Sequence, residues 1–165
     1  MSYPPHSSEP RIAAISQRHP SFPSKAALLS RLLREAYHGL RDEIGAALAE
    51  WNVNYAEYSV LMMMYGSEQH TVLPSQLAEA SGEQAANVTR LTNGLVARGW
   101  IERAAATEDR RQVLLTLTAK GRAAVKAFLP AVSAALQQQT ADFSAKEAEQ
   151  FELLLRKFLA RTDPH

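Results

Sequence analysis

Two stretches of this 165-residue chain carry hydrogen-bonding and charged side chains at spacings that could do chemistry. The first is QAANVTRLTN, Gln84 to Asn93. Read as a helix, it places Val88 and Leu91, with Leu95 beyond, on one apolar face. Ala86, Thr89, Arg90 and Asn93 fall on the far side of the axis. The second is TEDRRQVLLTLTAKG, Thr107 to Gly121, in which a charged tip runs straight into an apolar strand. These groups are equipped to bind rather than to react. Thr and Asn pair with base edges or phosphates, and Arg with either, so the helix suits a DNA major groove. Its candidate contacts are Gln84, Ala86, Asn87, Thr89, Arg90 and Asn93. Arg110 and Arg111 suit an adjacent minor groove, whose narrow walls concentrate negative potential. Asp109, two residues before Arg111, could pair with it or hydrogen-bond the turn.

Covalent and metal chemistry find no such footing. The chain has no cysteine, and its five histidines, at 6, 19, 38, 70 and 165, form no i,i+4 pair. No metal, cofactor or disulfide is therefore expected. Ser, His and Asp all occur, but without a nucleophile elbow or a phosphate-cradling glycine loop, so an enzyme is not expected.

Composition is that of an ordinary soluble domain, 46% hydrophobic and 21% charged. No apolar run approaches the roughly 18 residues a membrane span needs, and the N-terminus lacks the order of a signal peptide. A cytoplasmic protein with no membrane partner is expected. Net charge is only +1, but eight basic against four acidic residues lie between Gly82 and Lys126. From Trp51 to Ser81 there are three acids and no Lys or Arg. That asymmetry gathers positive charge where the two binding stretches lie.

The elements that must position them follow from periodicity and caps. Residues 1–23 are proline-rich and read as a flexible arm. Ser24 should cap a long helix with its stripe at Leu29, Leu32, Leu33, Ala36, Leu40, Ile44, Ala47 and Leu48. Asn54 and Glu57 form a capping box for a second helix, ended by Gly66. Thr71 to Leu73 is extended, and Pro74 opens a short third helix. Ser81 and Gln84 suggest another box, for a fourth helix stopped by Gly99. Two short helices joined by a tight turn are a helix-turn-helix. WIERAA and QVLLTLT then form a hairpin around the charged tip. Thr118 caps a fifth helix, and Ser144 with Glu147 a sixth, whose stripe is Phe151, Leu154, Leu155, Phe158 and Leu159. The fold class is mostly α (α+β): a winged helix-turn-helix with long helices at both ends.

The stretch from Asn87 to Gly121 resembles the core of the MarR family of winged-helix transcriptional regulators. Asp109-x-Arg111, followed by an apolar strand and Leu117-Thr118-x-x-Gly121, carries the likeness most strongly. Thr89-Arg90-Leu91, Leu95, Gly99 and Ile101-Glu102-Arg103 support it. RHPSFP, LPSQL and RGWIER look like the EmrR/MprA branch, repressors of multidrug efflux operons. The resemblance covers about residues 25–162. It implies a domain over 24–162, with a DNA-binding lobe over about 55–117 and dimerisation helices over about 24–50 and 119–162. It also implies a homodimer on palindromic double-stranded DNA, released by a small aromatic or phenolic effector. Candidate effector-binding residues are Tyr37, His38, Arg41, Tyr58, Met62 and Tyr65. A regulator of aromatic-compound catabolism or stress genes is the alternative within the family. Outside it, the competitor is a winged-helix protein-interaction module without DNA binding. Two departures stand out. Ala85 and Ala86 occupy positions where relatives often carry longer polar residues. Gly94 costs a recognition helix about 1 kcal/mol relative to alanine, for no reason the sequence shows.

Overall fold

The computed structural model describes residues 9–81, 84–105 and 113–160. The chain divides into two compact units, Met1–Glu43 and Ile44–His165. The first holds α1 (Glu9–Arg18) and most of α2 (Ser24–Ala47). The second holds α3 (Tyr55–Gly66), α4 (Pro74–Ser81), α5 (Ala85–Ala97), α6 (Ala119–Gln139) and α7 (Ala145–Leu159). Three short strands complete it: β1 (Thr71–Val72), β2 (Ile101–Ala105) and β3 (Val113–Leu117).

Helix α1 corrects the expected arm over residues 1–23. Proline is tolerated in the first turn of a helix, where its missing N–H would find no partner anyway. Pro10 sits there, and the following RIAAISQR is good helix material. Residues 1–8 lie outside those described. Ser24 is the first helical residue of α2 rather than its cap, because the Pro23 carbonyl already accepts from Ala27 N–H.

In the second unit, α3 packs against α4, α5, α6 and β3. Val60, Leu61 and Met64 of α3 meet Leu77 of α4, Leu91 and Leu95 of α5, Leu115 and Leu117 of β3, and Phe128 of α6 in one buried core. Phe128 stands edge-on to Trp51 and Tyr58, each 6.3 Å away between ring centres. Each large apolar side chain buried this way contributes roughly 1.5–3 kcal/mol. The sheet has the order β1-β3-β2, all antiparallel. Thr71 faces Thr116 on one side of β3, and the β2–β3 ladder runs from Ile101↔Leu117 to Ala105↔Val113. The expected hairpin is therefore present, and its charged tip, with Asp109, Arg110 and Arg111, lies outside the described residues.

The caps divide into those that form and one that does not. Asn54 accepts from Glu57 N–H while Glu57 accepts from Asn54 N–H, and Ser144 with Glu147 repeats the arrangement. The box expected at Ser81 and Gln84 is not made. Ser81 is instead the last residue of α4, its hydroxyl donating to the Leu77 carbonyl, and Gln84 caps α5 with backbone alone.

The chain's tightest joint lies where α5, β2 and α6 meet. Helix α5 ends in a left-handed Gly99 (φ +69°), with Gly99 N–H donating to Val96 and Trp100 N–H to Leu95. This is a Schellman motif, for which glycine is the natural residue. Thr118 then returns to the same turn. Its N–H donates to the Trp100 carbonyl at 2.9 Å, and its hydroxyl accepts from Gly121 N–H at 3.0 Å. A Cβ on Gly121 would stand 2.1 Å from the Trp100 carbonyl oxygen. Gly94 is different: a Cβ there would lie at an ordinary 3.7 Å from Glu57 Oε1. Gly121→Ala is therefore expected to cost about 2–3 kcal/mol through backbone displacement. Gly94→Ala should raise stability by about 0.5–1 kcal/mol through helix propensity. Urea unfolding at one fixed protein concentration checks both; equal and small effects would contradict the geometry.

Candidate nucleic-acid interface

Helix α5 turns its buried face, Val88, Leu91, Thr92 and Leu95, toward the core. Gln84, Ala86, Thr89, Arg90 and Asn93 are all exposed, and Asn87 is half-buried. The outward row read from periodicity is thus a real surface. It arises because the apolar residues recur at i, i+3 and i+7, which fixes the helix's rotation on the core.

Local hydrogen bonds determine what that surface offers. Asn87 Oδ1 accepts from Arg90 Nη2 at 2.8 Å and from Nε at 3.2 Å. The guanidinium is thereby held in one orientation, with donors left for a phosphate or a guanine edge. Thr89 Oγ1 donates to the Ala85 carbonyl at 2.9 Å, so its hydroxyl faces outward as an acceptor. Ala86 leaves that part of the row short, a place where backbone can approach closely but no side chain reads.

Arg103 was absent from the sequence-based candidates. From β2 its Nη2 donates to Thr92 Oγ1 at 2.9 Å, and Thr92 in turn donates to the Thr89 carbonyl at 3.1 Å. The buried hydroxyl of Thr92 is satisfied, and an exposed cation is pinned beside α5. An arginine in the strand entering the hairpin, eleven residues after a threonine on the helix, was the available signal. Sequence alone does not give the register that brings them together.

The candidate effector residues fall into two groups, one in each unit. In the first, the Arg41 guanidinium lies 5.6 Å over the Tyr37 ring, and Tyr37 and His38 are 6.0 Å apart between ring centres. In the second, Tyr58 leans on Phe128 and Tyr55, and Met62 is half-buried. Burial first, and Tyr55 second, push the Tyr58 hydroxyl above its ordinary pKa. Tyr65 is stacked on His70 at 5.4 Å, and His70 Nδ1 lies 3.0 Å from the Tyr65 carbonyl. Clefts of about 580, 420 and 410 Å³ are lined by other residues, among them Met63 and Gln76, Phe143 and Phe151, and Arg11 and Arg34. Among the described residues there is no cluster of His, Cys, Asp or Glu able to hold a metal. No helix among them is long and apolar enough to cross a membrane.

Known proteins share this arrangement. A profile of the MarR family matches residues 51–112, the span from the turn before α3 through the hairpin tip. The transcriptional repressor MprA of Escherichia coli is 34% identical over 148 residues, covering 90% of this chain and 84% of that protein. The crystal structure of a cysteine-to-serine mutant of MarR from E. coli, complexed with operator DNA, superposes with a TM-score of 0.75. That pair is 26% identical, covering 82% of this chain and 96% of the other. BpsR of Bordetella bronchiseptica, solved in a study of its regulation by 6-hydroxynicotinic acid, has a TM-score of 0.70 at 26% identity. It covers 79% of this chain and 97% of its own. With its helix-turn-helix, its winged hairpin and a relative this similar along nearly its whole length, the chain belongs to the MarR family of DNA-binding transcriptional regulators.

Proposed function

We propose that the protein is a homodimeric repressor of a multidrug efflux operon, released from a palindromic operator by small hydrophobic or phenolic acids. The observation that carries the reading is the outward row of α5, in which Asn87 holds the Arg90 fork ready. Helix α5 lies in the major groove, with Thr89, Arg90 and Asn93 at base edges or phosphates. Arg110 and Arg111 reach the neighbouring minor groove, and Asp109 shapes their turn. Likeness to MprA supports repression of efflux genes. The acid named for BpsR supports an aromatic effector, and equally a regulator of aromatic-compound catabolism. Adjacent genes for a membrane-fusion protein and a transporter would separate the two readings in favour of efflux.

Dimerisation is supported by what a single chain leaves uncovered. Helix α7 has no buried residue, although Phe151, Leu154, Phe158 and Leu159 are 46%, 62%, 43% and 60% exposed. Leu29 and Leu32 on α2 and Leu136 on α6 are exposed as well. Apolar patches on this scale mark interaction surfaces, and a second copy offers the same helices in return.

Arg90→Ala should weaken operator binding by about 1–3 kcal/mol while leaving the unfolding midpoint unchanged, since the side chain is exposed. The salt slope of binding then tells which partner it meets: it falls by about 0.9 per protomer for a phosphate and stays put for a base. Unchanged affinity would remove α5's outward face from the interface.

Leu154→Glu combined with Phe158→Glu should turn the dimer into a monomer in sedimentation velocity. Neither residue is in the monomer's core, so the lobe should stay folded; a dimer that persists would sink this assignment of α7.

Calorimetric titration of aromatic acids should find at least one that binds the free protein below millimolar. Operator DNA should weaken that binding by the factor by which the acid weakens DNA binding. Indifference to DNA would exclude effector control.

A further inference from the structure

Glu57 is the one charged residue buried among those described, only 7% exposed, and it does more than cap α3. Oε2 accepts from Asn54 N–H at 3.1 Å, completing the capping box. The same carboxylate also accepts from Arg98 Nη2, at 3.3 Å to Oε1 and 3.5 Å to Oε2. Arg98 is the C-cap residue of α5, where the helix gives way to the Gly99 turn. Its guanidinium stands 5.0 Å over the Trp100 ring, and its carbonyl accepts from Lys120 Nζ at 2.9 Å. One residue at the end of α5 is thus tied to the start of α3, the start of β2 and the start of α6. Gly94, one turn earlier, brings the α5 backbone over the carboxylate, its missing Cβ position 3.7 Å from Oε1.

A buried carboxylate is a poor choice if the site need only be stable. Desolvation opposes it, and a well-packed apolar pair in such a place is often as stable or more so. What an ion pair adds is direction. Apolar contacts along Leu91 and Leu95 tolerate small rotations of α5, whereas a guanidinium held by a capped carboxylate on one side and an indole on the other does not. Rotation matters for a helix that reads DNA, because side chains must meet base edges within roughly 10–20° of their proper direction. We propose that Glu57 and Arg98 are positioning residues that fix the angle of α5 and thereby set operator discrimination, without touching DNA. This rests on α5 being the reading helix.

The test compares Glu57→Gln, Arg98→Met and the double variant. Glutamine keeps an acceptor for Asn54 N–H and removes only the charge. The probes are a duplex selected by the wild-type protein from a random pool and a random duplex of equal length, with both affinities read by anisotropy. Each single variant should lower the ratio of selected to random affinity about tenfold, on the order of one mismatched base pair. The double variant should be no worse than the poorer single one, because both act through one contact. A ratio preserved in both singles, even with lowered thermal midpoints, overturns the proposal, as do effects that simply add. If the wild-type protein enriches no sequence at all, the reading-helix assignment fails and the positioning role falls with it. Enrichment with unaltered variants defeats the positioning role alone.

Discussion

The close approach of Gly121 to the Trp100 carbonyl is the constraint on which the DNA-binding lobe depends. With 2.1 Å between that oxygen and where a Cβ would be, only glycine lets α6 start so near the end of α5. Thr118 exploits the gap, its backbone N–H closing on Trp100 and its hydroxyl serving Gly121. Because the turn it grips is the Schellman turn of α5, one joint sets the exit of α5, the approach to the hairpin and the entry of α6. The Leu-Thr-x-x-Gly stretch that helps carry the family likeness is therefore structural chemistry, gripping the turn at the C-terminal end of α5. That part of the family likeness holds the outward surface of α5 in place, whereas Thr89-Arg90 belongs to the surface itself.

What was legible in the sequence was what local physics decides. The capping boxes at Asn54 and Ser144 span three residues, and both form as read. The outward row of α5 needed only the period of the helix. Ser81 with Gln84 had the same pattern and failed, because a neighbouring helix claimed Ser81 before the next one began. A capping signature cannot say which of two adjoining helices owns the serine. Proline count misled at α1 for a related reason: position within the first turn, not number, decides whether proline breaks a helix. Pairings across long separations were beyond reach altogether. Glu57 with Arg98 and Thr92 with Arg103 exist only because the fold brings α3, α5 and β2 together.

The candidate effector residues show the other limit of sequence reading. Tyrosines and methionines at helical spacing are equally apt to line a pocket or fill a core, and Tyr58 packs on Phe128 and Tyr55. It packs edge-on to Phe128, and its hydroxyl, neutral like that of any tyrosine near pH 7, could donate to a nearby carboxylate or phenolate. Tyr65 is more fully engaged, stacked on His70 in a turn where Gln69 and His70 both adopt left-handed backbone. Two such residues in sequence are uncommon outside glycine, and the Tyr65 stack and the carbonyl contact of His70 are what hold them.

On the proposed reading, the light charge of α5 makes a second lobe valuable. Arg90 is the only cation on the outward row of α5, and neutral Thr89 and Asn93 add hydrogen bonds that carry little weight until register is already correct. Sequence-independent affinity for DNA scales with the number of phosphates neutralised, so a helix with one outward cation contributes little of it by itself. Joining two lobes makes the second contact intramolecular, and modest half-site affinities then multiply rather than add. That gain exists only when both reading helices meet half-sites about one DNA turn apart, near 34–36 Å. On this view the uncovered apolar row of α7 and the lightly charged row of α5 are two sides of one design. In the proposed dimer, two lobes of this kind bind strongly only as a pair, and a change in their separation would release both at once.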